Sequence, residues 1–149
     1  MAANDHRHAA EIARDCMASR VRRLERLLTR IYDDAIRPHG LTGSQLELLV
    51  ALQLIGKTTA AAVGRRLELE KSTVSRNLAR LVAAGLVDAS DGLRNTARGT
   101  AAIAACHAAW RKAQQQAREA LHPAEGRLIA RLAPASSTAT GHNEKGRGP

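Results

Sequence analysis

Residues 71–82 read KSTVSRNLARLV, and the way this stretch divides when wound into a helix decides the fold. At about 100° per residue, Val74, Leu78, Leu81 and Val82 fall on one side, while Thr73, Arg76, Asn77 and Arg80 gather on the other. The first side must be covered by neighbouring elements. The second carries the groups that match base edges in a major groove: Arg pairs bidentately with guanine, Asn with adenine, and Thr meets a thymine methyl or a phosphate. Ser72 and Ser75 stand in the first turn, where hydroxyl and backbone N–H groups donate to phosphate. A merely solvated helix face has the same pattern, so the neighbouring chain must arbitrate. Residues 59–69 supply a short helix with Val63 and Leu67 on its apolar side, then a tight turn, at the spacing of a helix-turn-helix.

Upstream, Thr42-Gly43-Ser44-Gln45 reads as a capping box that opens a buried helix over residues 46–55. Before it, residues 12–36 carry Ile12, Cys16, Val21, Leu24, Leu28, Ile31 and Ala35 at steps of three to five, one long amphipathic helix stopped by Pro38-His39-Gly40. Downstream, Gly85 is a natural left-handed helix end. Leu86-Val87 and Leu93 then flank Asp91-Gly92, a dipeptide suited to a tight hairpin turn. From residue 98 a long Ala-rich helix presents Ile103, His107, Trp110, Gln114, Ala117 and Leu121 as one stripe, a seam for another helix. A short last helix follows Pro123, with Leu128, Ile129 and Leu132 apolar. The expected organisation is a flexible N-terminus (1–10), a single domain (11–132) and a disordered tail (133–149).

With 149 residues and a formal charge of +9, the chain is one basic domain suited to approaching a polyanion. That signal is diluted by composition, because Arg outnumbers Lys 19 to 4 and Ala is abundant. Phe is absent, with one Trp and one Tyr, so Leu, Ile, Val and Ala must fill the core, which favours helices. The longest apolar run, residues 101–106, is far below the roughly 20 needed to span a membrane. No secretory signal is visible, so a cytoplasmic protein with two free cysteines is expected. No partnered nucleophile, phosphate-cradling glycine loop or metal-ligand spacing appears, and neither an enzyme nor a cofactor is expected.

The combined pattern resembles the MarR family of bacterial winged-helix regulators. It is carried by Gly40-Leu41-Thr42 with Gln45, Leu48 and Leu49; by Thr59, Val63, Leu67 and Leu69; by residues 71–76; by Leu81 and Gly85-Leu86-Val87; and by Thr96 with Gly99. The resemblance covers residues 12–132 and implies a mainly α fold: a winged helix-turn-helix (42–97) with a shortened β-hairpin wing, between dimerisation helices at 11–37 and 98–132. It further implies a homodimer that reads a palindromic double-stranded operator, with half-sites about 34 Å apart, and that acts as a repressor released by a small effector or by thiol oxidation. On this reading Ser72, Thr73, Ser75, Arg76, Asn77 and Arg80 bind DNA. The rival reading is a helical dimeric interaction protein of the same fold that has lost DNA binding.

The wing departs from the family. Eight residues separate Val87 from Thr96, about half the usual wing, and the usual Asp-x-Arg element is reduced to Arg94, three positions after Asp91. Arg94 is the surviving candidate for a minor-groove contact, and Arg94→Ala is expected to cost less binding than Arg76→Ala. Cys16 lies where the branch resembling organic hydroperoxide regulators keeps a reactive cysteine, though that branch's tyrosines are Arg20 and Arg30 here. It is a candidate redox sensor, weighed against simple packing on the apolar stripe. Arg20, Arg30 and Tyr32 are candidates for holding a small anionic effector.

Overall fold

The computed structural model describes residues 2–132, with side chains from residue 6 onward. The expected tail, 133–149, lies outside the described residues. Helices α1 (Ala2–Asp15) and α2 (Met17–Ile36) lead through a 3-10 turn (Arg37–His39) to α3 (Gly43–Ile55). Then come α4 (Ala60–Leu67), α5 (Lys71–Ala83), strands β1 (Val87–Asp88) and β2 (Arg94–Asn95), α6 (Ala97–Ala120) and α7 (Pro123–Leu132). The strands pair antiparallel, Val87 opposite Asn95 and Asp88 opposite Arg94.

Local chemistry sets most boundaries. The Gln45 N–H donates to Thr42 Oγ1 at 3.2 Å and the Thr42 N–H to Gln45 Oε1 at 3.0 Å, so the capping box forms at the start of α3. Gly85, at φ 69°, ends α5 in a Schellman motif: the Leu86 N–H donates to the Leu81 carbonyl and the Gly85 N–H to that of Val82, both at 2.9 Å.

Helix α3 is the centre of the lobe. Leu46, Leu48, Leu49, Ala51 and Leu52 are all buried, and it packs against α2, α4, α5, α6 and β2. Around it Ile36, Leu41, Val63, Val74, Leu78, Leu81, Val87 and Cys106 complete one core. Outside this lobe, α2 and α6 run against each other, where the small, buried Ala113 and Ala117 allow close approach.

Two expectations change. The first helix is not continuous: Cys16 is extended (φ −65°, ψ 106°) and divides α1 from α2. The Arg20 guanidinium donates to the Arg14 carbonyl at 2.8 Å, satisfying an acceptor that the break leaves without a helical partner. Helix α1 begins at Ala2. Finally, the inward stripe of α6 runs through Gly99, Cys106, Ala113 and Ala117, rotated by roughly 60° from the expected seam. Trp110 keeps 40% of its surface exposed and stacks on exposed His107, ring centroids 6.0 Å apart.

Candidate nucleic-acid interface

Helices α4 and α5 form the helix-turn-helix. Thr59 caps α4 by accepting the Ala62 N–H at 3.2 Å, and Glu68 closes it in the left-handed region, φ 52°. Helix α5 then starts from Glu70 as its N-cap, whose side chain makes no capping hydrogen bond, with Lys71 at its first position and no acidic residue in its first turn.

Val74, Leu78 and Leu81 are buried and fix the inner side of α5. Lys71, Ser72, Ser75, Arg76, Ala79 and Arg80 are exposed. On the helical wheel this outward arc centres near Ser72 and Arg76. Thr73 and Asn77 lie at its edge and are half-buried; Asn77 donates to Ser44 Oγ at 3.4 Å, which ties α5 to the start of α3. The polar edge is therefore rotated from the sequence-based one. Val82, expected on the inner side, is 39% exposed. Arg76 folds along its own helix, Nε donating to the Ser72 carbonyl at 3.3 Å, a long and solvent-exposed bond that a guanine edge can replace.

The hairpin is bound to the body on every side. Arg94 donates to Asp88 Oδ2 from Nε at 3.0 Å and from Nη2 at 2.7 Å. Asp88 also accepts the Ser90 N–H at 2.9 Å and its hydroxyl at 2.7 Å; these bonds, with Arg94, push its carboxyl down to about 2. The partner of Arg94 is thus Asp88, its ladder neighbour, while Asp91 pairs with Lys57. At the other end, Asn95 Nδ2 donates to the Leu49 carbonyl at 2.8 Å. Thr96 caps α6, accepting the Gly99 N–H at 3.1 Å while its hydroxyl donates to the Gly85 carbonyl at 2.8 Å. Gly99 is required sterically: a Cβ there would stand 2.1 Å from the Leu86 carbonyl oxygen.

The candidate effector residues do not converge within the protomer. Arg20 and Tyr32 are twelve residues apart on α2, about 18 Å along its axis, and Arg20 is turned to the Arg14 carbonyl. Arg30 is exposed and, two positions from Tyr32, points to a different face. Tyr32 is half-buried, donates to Gln114 Oε1, and burial raises its pKa. Cys16 is half-buried at the break. The hydroxyl and N–H of Ser19 lower its thiol pKa, helped by the Ala18 N–H and by Arg22, not by Arg20. Burial raises the Cys106 thiol. Lys57 and Ser44 were missed by sequence reading, because their partners lie more than thirty residues away with no local pattern linking them. Among the described residues, no cluster of His, Cys, Asp and Glu is placed to hold a metal, and no helix is long and apolar enough to cross a membrane.

Comparison with known proteins agrees with this architecture. Residues 39–92 match the model of the MarR family. No curated protein matches the chain. Among solved structures, the M. tuberculosis transcriptional regulator MosR is 31% identical, with 79% of this chain and 93% of that one covered at a TM-score of 0.69. MosR in complex with DNA is 32% identical, covering 79% and 94% at a TM-score of 0.67. A mutant MarR from E. coli complexed with operator DNA superposes at a TM-score of 0.69 with 18% identity, covering 82% and 94%, a likeness of fold. With the family model on the helix-turn-helix and nearly a third of positions shared with MosR across most of both chains, the chain belongs to the MarR family of winged-helix transcriptional regulators.

Proposed function

We propose that this protein is a homodimeric, sequence-specific repressor that lays α5 in the major groove of double-stranded DNA, with Ser72, Ser75, Arg76 and Arg80 in contact and Thr73 and Asn77 at the edge. The observation that carries this reading is the outward arc of α5, polar and exposed while Val74, Leu78 and Leu81 clamp its back. A rod held on one side and open on the other presents Arg76 to a base edge without disturbing the core. The solved complex of MosR with DNA adds support by kinship. It also weighs against the rival reading of an interaction protein without DNA binding.

Pairing of two copies is supported by apolar side chains left on the terminal helices. Ile12, Met17 and Val21 are 66%, 68% and 58% exposed, and Leu132 is 71% exposed. Such surface is unfavourable in water and is covered when a second copy packs there. The operator is then a palindrome with half-sites about 34 Å apart.

For release, Cys16 is the better supported trigger. It is half-buried, at a helix break, with donors that favour the thiolate. A small effector bound by Arg20, Arg30 and Tyr32 would require residues from two protomers. The deciding experiment is a gel-shift titration against the DNA upstream of the gene at several salt concentrations. Binding should weaken steeply with salt and fall with Arg76→Ala; salt-independent retention, or none with folded protein, sinks the proposal. Peroxide should release wild-type protein from the duplex but leave Cys16→Ser bound.

A further inference from the structure

We infer that the shortened hairpin is a strut of the DNA-binding lobe and not an arm that reads the minor groove, so that sequence discrimination rests on α5 alone. The second half of this inference rests on α5 being the reading helix; the first stands on the hairpin itself.

Three observations carry it. The ladder has two residues per strand, which gives each arm about 7 Å of length. The turn beyond it, residues 89–93, is fastened to the segment that opens α4. Leu93 and Thr58 exchange both backbone hydrogen bonds, at 2.8 and 2.9 Å, and Asp91 is paired with Lys57. Gly92 lies on the Lys57 stem so closely that a Cβ there would come within 3.1 Å of Cε and 3.2 Å of Cγ. A tip tied down at three consecutive positions does not swing into a groove.

Charge gives the third observation. Reading a narrow minor groove takes an uncommitted cation at the tip. Arg94 is the one cation within residues 87–95, and although it stands on the rung next to the turn it is committed, opposite Asp88 and bonded to it through two nitrogens. The tip carries Ser90 and Asp91, whose carboxylate faces phosphates unfavourably. With Lys57 and Arg94 set against Asp91 and Asp88, the element sums to zero.

What the strut does follows from what it touches. Thr58 immediately precedes Thr59, the cap of α4, and α4 packs under α5. Asn95 fastens the other strand to α3 through the Leu49 carbonyl and Gln53 Oε1. Lys57 and Asp91 are therefore positioning residues: they hold the start of α4 level with α3 and fix the angle at which α5 is presented.

Two measurements on the full chain test this. In free protein, hydrogen exchange should show the Thr58 and Leu93 amides protected, and Lys57→Met should speed Leu93 while the Leu78 amide keeps its rate. Exchange of Thr58 and Leu93 as fast as an open loop in wild type overturns the strut. Next, a duplex enriched by the protein from a randomised pool is remade with 2,6-diaminopurine in place of adenine in the flanks of the α5-contacted base pairs. This adds a minor-groove amino group and leaves the major-groove edge unchanged. The dissociation constant should stay within about twofold, and Arg94→Ala should change it as little; weakening by about tenfold in either case shows a wing that reads DNA. If no duplex is enriched, the assignment of α5 fails and discrimination by α5 falls with it, whereas the exchange result still decides the strut.

Discussion

Helix α5 and the β1–β2 hairpin are neighbours in the chain, and both are rich in polar side chains, yet they hold them in opposite ways. On α5, Ser72 and Ser75 are exposed, Arg80 enters no ion pair among the described residues, and Arg76 makes one long bond to its own helix. In the hairpin, Asp88, Ser90, Asp91, Arg94 and the Asn95 amide nitrogen are engaged, with each other or with the body, and Asn95 Oδ1 alone is buried without a partner among the described residues. Polar groups kept unengaged on a rigid support are available to a partner; groups already satisfied serve the fold. The contrast separates the proposed reading surface from its scaffold, and mutations should separate them in the same way.

The largest effect belongs to the scaffold. Gly99→Ala places a methyl carbon 2.1 Å from the Leu86 carbonyl oxygen, a backbone atom that cannot step aside alone. Stability should fall by about 3 kcal/mol, read as a lower denaturation midpoint, with DNA binding lost only through unfolding. A variant as stable as wild type would show that the junction of hairpin and α6 is looser than described. The reverse signature is expected on α5. Arg76→Ala removes an exposed group, so the melting temperature should hold within about a degree, while affinity falls by about 2 kcal/mol, roughly thirtyfold. Equal loss of stability and affinity would erase the distinction between the two regions.

Thr96→Ala should lie between. Its hydroxyl caps α6 and donates to the Gly85 carbonyl, so its removal takes two bonds from the scaffold. Loss of about 1 kcal/mol is expected, seen as a shifted urea midpoint with an unchanged slope.

How far the sequence carried depended on the range of the interaction. The Thr42 and Gln45 box and the Gly85 helix end were legible because each is complete within a few residues, and their geometry follows from residue type. The helix-turn-helix was legible for a related reason: Val74, Leu78 and Leu81 repeat at helical spacing. The break at Cys16 was not, since neither Gly nor Pro marks it and the apolar spacing continues through it. On α6 the large residues misled. His107 and Trp110 drew the seam toward themselves, whereas the surface packed closely on α2 is made of alanines, which permit near approach and announce nothing by hydropathy. In the candidate interface, the residue types were readable but their partners were not. That Asn77 reaches Ser44, that Arg94 answers to Asp88 and that Lys57 answers to Asp91 are facts of tertiary placement.

The smallest effect concerns pH and tests the hairpin from within. Asp88 has its carboxyl lowered from 3.8 to about 2 by the Ser90 N–H, the Ser90 hydroxyl and Arg94. A group whose folded pKa lies below its unfolded one stabilises the fold fully above the unfolded value and loses that contribution as pH falls through the folded value. The window therefore runs from about pH 4 down to about pH 2, and the hairpin should be indifferent to Asp88 titration at neutral pH. Because the carboxylate is partly exposed and screened, the effect on global stability is small. It is best read locally, as the chemical shifts of the Ser90 and Leu93 amides during acid titration. Wild type should show one transition near pH 2 that Asp88→Asn abolishes, with the amides of α5 unmoved in both. If the amides of α5 follow the same transition, the hairpin and the reading helix are one unit, and the separation between them fails.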